Sequence, residues 1–214
     1  MSGLRGTGVR ATFLAVPLVL GFLGAAAEPA GAAGPRASHA GASLACRGEG
    51  VDPDALVRHR TDIVINAPLH TVWKVQTDVQ RRPRRQSPVE TAERLEHGPL
   101  RSGSAFRWTV PVPPNPSTPA TSLEITSTVR QLKHGACIRW TGPAIGEELR
   151  IDGIHVWNFT KVEGGVRVST EETHTGAQVE ADVPTATRIL REGLEAWLRD
   201  LKSAPEARAE AWPR

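Results

Sequence analysis

Several signatures of chemistry are missing from this chain. No Gly-x-Ser-x-Gly elbow accompanies its serines, histidines and aspartates, and no phosphate-cradling glycine loop occurs, so hydrolase and nucleotide-dependent classes lose their usual support. His-x-x-x-His and Cys-x-x-Cys spacings are absent as well, which leaves a metal site without a recognisable scaffold and implies no cofactor. Only two cysteines exist, Cys46 and Cys137. They are either the two halves of one bridge or free buried thiols, and the sequence leaves both open. Beyond the first 27 residues no run is apolar enough to span a bilayer.

What is present begins with an export signal. Arg5 and Arg10 precede an apolar run through Phe13-Leu14-Ala15-Val16-Pro17-Leu18-Val19-Leu20, which passes into small residues ending at Ala25-Ala26-Ala27. That order predicts a signal peptide over 1–27 and a secreted or cell-envelope location, with a retained anchor as the alternative. Ser43-Leu44-Ala45-Cys46 is no lipobox, because Ser43 stands where the leucine belongs and the segment lies far past the apolar run. Residues 28–52, rich in Ala, Gly and Ser, read as a disordered linker, 53–203 as one ligand-binding domain, and 204–214 as a flexible tail. The net charge of +3 owes part of its excess to the signal and part to Arg81-Arg82-Pro83-Arg84-Arg85. With no interleaved aromatics or nucleic-acid motif, that run reads first as a solvated turn, and otherwise as a surface for an anionic partner.

Alternation and periodicity place the elements. Val57 to Ile65 alternates as a strand, with Val57, His59, Thr61, Ile63 and Ile65 on one side. Pro68 at the first helical position opens a helix from Leu69 to about Asp78, in which Trp73 is a core anchor. Weak strand character over Val89–Leu95 is followed by strong alternation over Ala105–Val112, with Phe106, Trp108 and Val110 on one face. Pro111, Pro113, Pro114, Pro116 and Pro119 then form a stiff loop, suited to a sheet edge or a pocket rim. Leu123–Leu132 and Ala136–Thr141 follow as strands, with a break expected at Gly142-Pro143 and Gly146. From Pro184 the period changes, and Leu190, Leu194, Trp197, Leu198 and Leu201 form a helical stripe. On its flank Gly193 costs about 1 kcal/mol relative to alanine, which either empty volume beneath it or tight packing would explain. Strand, helix, several antiparallel strands and a long C-terminal helix make an α+β fold.

The centre of the chain carries the candidate site. Gly153–Phe159 and Val166–His174 alternate as two strands of a hairpin around Gly164-Gly165. One face collects His155, Trp157, Phe159, Val166, Val168, Thr170, Glu172 and His174, while Arg167, Ser169, Glu171 and Thr173 point the other way. A two-residue turn at Gly164-Gly165 sets His155 opposite His174; a turn centred on Glu163 and Gly164 sets it opposite Glu172. Both registers keep the same residues on the same face. An apolar face with a few ionisable groups suits a ligand cavity. His155 and Glu172 could then form a catalytic acid–base pair, or a structural hydrogen-bond pair within a buried surface. Trp108, Trp140 and Trp157, inward on neighbouring strands, serve as core or as pocket walls for a flat apolar ligand.

Taken in order, Ile65-Asn66-Ala67-Pro68, Val72-Trp73, Thr77-Asp78, Gly103-Ser104-Ala105-Phe106-Arg107-Trp108, Trp140-Thr141-Gly142, Ile154-His155-Val156-Trp157 and Gly164-Gly165-Val166-Arg167-Val168 with Glu171-Glu172 resemble the START-like superfamily. More narrowly, they are similar to its polyketide cyclase/dehydrase branch, the SRPBCC proteins. The resemblance covers about Arg58 to Lys202 and implies a helix-grip fold, in which a curved antiparallel sheet and the C-terminal helix enclose an apolar cavity. It also implies a small hydrophobic ligand, lipid or polyketide-like, met by Phe106, Trp108, Trp140, His155, Trp157, Thr170, Glu172 and His174. Two alternatives accompany that reading: a cofactor-independent cyclase, aromatase or dehydratase using His155 and Glu172, and a scaffold whose core fills itself. Two features depart from the resemblance. Arg82 and Arg85 stand where relatives often carry Trp, and the Pro111–Pro119 loop is unusually rich in proline.

Overall fold

A computed structural model describes residues 42–114 and 120–210. The signal, residues 28–41 of the linker, Pro116 and Pro119 of the proline loop, and residues 211–214 lie outside them.

Two short strands, β1 (Ala45–Cys46) and β2 (Glu49–Gly50), precede a sheet of seven antiparallel ones. These are β3 (Val57–Ile65), β4 (Thr91–Arg94), β5 (Ala105–Val112), β6 (Thr121–Lys133), β7 (Cys137–Gly146), β8 (Leu149–Val162) and β9 (Gly165–Thr175). Their spatial order is β3-β9-β8-β7-β6-β5-β4. Between β3 and β4 come helix α1 (Leu69–Thr77) and a 3₁₀ turn over Val79–Arg84; after β9 come the short α2 (Ala177–Ala181) and the long α3 (Val183–Glu210). Leu190, Leu194, Leu198 and Leu201 are buried along α3, so the predicted stripe is the face laid on the sheet. Each such leucine contributes roughly 1.5–3 kcal/mol relative to an exposed one. Asp182 caps this helix, its Oδ1 accepting the Thr185 N–H at 3.1 Å. Pro68 stands one place earlier than expected, at the N-cap of α1, where its carbonyl receives the N–H groups of Thr71 and Val72.

Three expectations need correction. The strand through Ala136–Thr141 does not break at Gly142-Pro143; β7 continues to Gly146, with Gly142 opposite Gly153 and Pro143 opposite Asp152. Pairing of β7 with β6 lapses between Ala144 and Thr141, so the proline that lacks an N–H falls where no ladder bond is needed. A side chain at Gly142 would collide with the Thr126 carbonyl, which is why the strand tolerates glycine there.

The linker expectation fails over its last residues. There β1 and β2 pair as a small hairpin, and Cys46 is bridged to Cys137 across 5.4 Å between Cα atoms. Leu44, Cys46, Val51, Cys137 and Val156 make a separate apolar cluster on the outer face of the sheet. Glu171, which alternation turns away from the cavity, is on that outer face and buried under this strap. It pairs with Arg58, and its Oε2 accepts the Leu44 N–H at 2.6 Å and the Ser43 hydroxyl at 3.2 Å.

The tail expectation fails as well, because α3 runs on to Glu210. Pro205 is buried there, Lys202 Nζ donates to the Val64 carbonyl at 2.8 Å, and the Asn66 N–H donates to Glu206 Oε1 at 2.8 Å. These contacts dock the extra turns against the end of β3.

Candidate functional site

Between α3 and the open half of the sheet lies a cavity of about 400 Å³. Val110, Leu123, Ile125, Ala144, Leu149 and Ile151 line the sheet side; Ala186, Leu190, Gly193, Leu194 and Trp197 line the helix side. Pro111, Val112 and Pro113 are part of the wall, so the described portion of the proline loop serves the cavity. Nothing lies within 4 Å of where a Cβ on Gly193 would sit, which removes tight packing as the reason for that glycine.

The hairpin turn is Glu163-Gly164, with Gly164 at φ +76°, and Val162 pairs Gly165; His155 thus stands opposite Glu172. The polar end of the cavity is His155, Glu172 and His174. Glu172 bridges the two rings: His155 Nδ1 lies 3.1 Å from its Oε2 and His174 Nε2 lies 3.3 Å from its Oε1. His155 Nε2 meets Thr170 Oγ1 at 2.6 Å. Burial pushes the His155 imidazole down to about 4, against the pull of Glu172, so the ring is neutral at neutral pH. A neutral ring has one N–H. With the ionised carboxylate at Nδ1, that proton belongs on Nδ1, and the Thr170 hydroxyl donates to Nε2. Burial alone would raise the Glu172 carboxyl, but the two neighbouring imidazoles outweigh it and hold it below the ordinary range. Gly153 leaves space at this end: a Cβ there would sit 3.6 Å from Glu172 Oε1 and 3.7 Å from His174 Cδ2. Among the described residues, no group of three or more His, Cys, Asp or Glu is disposed to hold a metal ion.

Of the eight residues expected to meet a ligand, Trp108, Trp140, His155, Glu172 and His174 line the cavity; Phe106, Trp157 and Thr170 do not. Phe106 and Trp157 belong to the filled end, where α1 and the C-terminal half of α3 close on the sheet, and Thr170 is buried behind His155. Phe106 and Trp157 are in the same cluster as Trp73, Phe159, Val168, Leu198 and Leu201. His59, also on the inner face and opposite Glu172 on β3, does not line the cavity either.

Sequence reasoning missed Arg82. The basic run is not uniformly solvated: Arg82 is only 3% exposed, at the end of the 3₁₀ turn. Its guanidinium carbon lies 4.7 Å from the Phe106 ring, 4.9 Å from Trp197, 5.3 Å from Trp140 and 5.8 Å from Trp108. Ring faces attract a cation, but among the described residues neither Nη1 nor Nη2 has a hydrogen-bond partner. Burial lowers the group to about 9. The departure noted in the sequence, Arg where Trp is usual, was the available signal. By contrast Arg85 pairs with Asp78 at 2.9 Å.

The fold recurs among solved structures. A START superfamily protein from Mycobacterium smegmatis matches with a TM-score of 0.53 at 11% identity, over 70% of this chain and 97% of that one. TTHA0849 from Thermus thermophilus matches with 0.56 at 16% identity, over 71% and 99%. The di-domain aromatase/cyclase StfQ of the steffimycin biosynthetic pathway matches with 0.56 at 16% identity, over 72% of this chain and 52% of StfQ. No curated protein matches the chain. At these identities the likeness is one of fold. The family model described as "polyketide cyclase / dehydrase and lipid transport" matches residues 57–206, and with most of its length covered the chain belongs to that START-like family.

Proposed function

We propose that the domain binds a small hydrophobic molecule, lipid or polyketide-like, in the cavity between α3 and the sheet, and that it does so outside the cytoplasm. The observation that carries the reading is the cavity itself: about 400 Å³, walled largely by aliphatic and tryptophan side chains, with His155, Glu172 and His174 grouped on one part of the wall. That volume and that lining are those of small-molecule sites. A scaffold that filled its own core would close this space, as the same fold does at its other end. The signal-like N-terminus supports export, and the Cys46–Cys137 bridge fits an oxidising compartment. Among the described residues no helix is long and apolar enough to cross a membrane.

The competing reading is cofactor-independent cyclase, aromatase or dehydratase chemistry. Its specific support is Glu172, an ionised carboxylate in the cavity wall flanked by two imidazoles, and the likeness of fold to an aromatase/cyclase. Against it, both ring nitrogens of His155 are engaged by the protein, which leaves the ring no lone pair to present to a substrate. Glu172 and His174 are the groups that catalysis would use. Native mass spectrometry of the purified protein after incubation with a lipid and metabolite extract tests both. Retention of an extract component with unchanged mass is the expected result; a converted product favours catalysis, and absence of any adduct overturns the binding reading. Glu172→Gln then separates the roles, since loss of conversion with binding intact marks a catalytic carboxylate.

A further inference from the structure

Arg82 holds a buried charge that aromatic rings surround but that no ion pair compensates among the described residues. The guanidinium faces aromatic rings, no carboxylate comes within ion-pairing distance among the described residues, and two of its nitrogens have no acceptor. Beside it is a void of about 10 Å³, enough for roughly one water or one oxygen atom. Gln76 lines the same void, and its amide orientation is fixed. The Trp197 indole N–H can only donate, and it lies 3.3 Å from Gln76 Oε1, which turns Gln76 Nε2 away to a place where it too lacks a partner. Three unsatisfied nitrogens, Gln76 Nε2 with Arg82 Nη1 and Nη2, therefore belong to residues around one small void. Asp200 also lines it, raised by burial and receiving the Ser87 backbone N–H, but it makes no hydrogen bond to Arg82.

The void adjoins the main cavity. Gln86 lines both, and its Oε1 is unpartnered. Trp108, Trp140 and Trp197 connect the two in a second way, because they line the cavity and also surround the guanidinium.

We propose that the cavity's ligand is a carboxylic acid, whose hydrophobic body occupies the main cavity and one of whose carboxylate oxygens reaches past Gln86 into the void, to be received by Arg82 and Gln76. The proposal rests on the hydrophobic-binding reading above and narrows it to one chemical class. A water in the void would satisfy a hydrogen bond without pairing the guanidinium to an anion, since Asp200, the one carboxylate among the lining residues, makes no ion pair with Arg82. A carboxylate supplies both an acceptor and negative charge through a single oxygen in the void.

The test uses the purified chain with two probes of equal length, dodecanoate and 1-dodecanol, titrated by tryptophan fluorescence at neutral pH. Wild type is expected to bind dodecanoate about tenfold or more tightly than dodecanol, the advantage of a charge-assisted pair in a buried site. Arg82→Met is expected to abolish that preference by weakening dodecanoate alone, with a thermal midpoint at or above that of wild type. If Arg82→Met does not fold, Gln76→Leu serves, with a smaller but measurable loss of preference. Equal affinity of wild type for both probes overturns the proposal, the void then holding water only, and leaves the hydrophobic-binding reading standing. A preference that survives in the variants also overturns it, since the carboxylate is then held elsewhere. Loss of both probes with a lowered midpoint marks Arg82 as a structural prop and overturns it too. Binding of neither probe by wild type overturns the carboxylate proposal as well, and the extract experiment above then decides the hydrophobic-binding reading separately.

Discussion

The two ends of the space between sheet and helix are made from different side chains. At the end closed by α1, Phe106, Trp157, Phe159, Leu198 and Leu201 fill the volume, with Phe159 and Trp73 rings 5.2 Å apart. At the other, Leu123, Leu149, Ile151, Leu190 and Leu194 make a second cluster, and Gly142, Ala144, Gly153 and Gly193 stand among the cavity residues. The strands and α3 run through both. The difference teaches that the hollow is set by side-chain size along continuous elements rather than by a change of fold. Apart from Trp108, Trp140 and Trp197, the hollow end is lined by aliphatic side chains, prolines, glycine, alanine and a few polar groups.

Substitutions test that contrast most strongly at its filled end. Trp157 is fully buried, and Trp157→Ala is expected to cost about 3–5 kcal/mol in urea unfolding. Ile125→Ala, half-buried on the cavity wall, is expected to cost under about 2 kcal/mol, because its neighbours already leave it partly open. Similar costs at both sites would break the comparison.

Replacing Cys46 and Cys137 together by serine opens a link between residues 91 apart in sequence. The expected loss is about 2–4 kcal/mol, accompanied by faster amide exchange over residues 44–51. Because the strap covers the outer face, ligand affinity should be retained. A large loss of affinity would show that the two faces of the sheet do not act separately.

The polar boundary gives a pH signature. His155 ionises near 4 in the folded chain and near 6.5 when unfolded, so between those values the unfolded state binds more protons and stability rises with pH. The contribution is fully present above about 6.5 and is lost as the pH falls toward 4. The lowered Glu172 carboxyl acts in the same direction at lower pH. The effect is on the order of 1–3 kcal/mol, and His155→Gln should flatten the dependence of the thermal midpoint between pH 6.5 and 4. An unchanged profile would mean that His155 is not held neutral by burial. Smallest of all, Gly193→Ala should add about 1 kcal/mol of stability and leave binding nearly unchanged, since a methyl there meets open space.

Alternation made the inner face legible. Period-2 patterning over Val57–Ile65 and Ala105–Val112 matches β3 and β5 to the residue, and the grouping of His155, Glu172 and His174 required no knowledge of the register. What alternation could not show was how far along that face the filling extends. Phe106 and Trp157 share a face with Trp108 and His155, yet α1 and the end of α3 close over the former pair alone. Alternation placed Glu171 on the outer face correctly but could not show its burial there, which comes from a strap near the other end of the chain, tied by a single bridge. Arg82 was hidden by its company, since its neighbouring arginines make a run that reads as solvated while one member points inward.

The central claim is that the hollow end is a binding site. Titration with N-phenyl-1-naphthylamine, a neutral apolar fluorophore, tests it most directly when wild type is compared with Ala144→Phe, a substitution that fills the cavity from the sheet. The account predicts saturable binding at a single site in wild type, with energy transfer from the tryptophans of the wall. It also predicts a loss of about tenfold or more in Ala144→Phe, with a thermal midpoint no lower than that of wild type. Non-saturable binding, or undiminished binding by the well-folded variant, would contradict it.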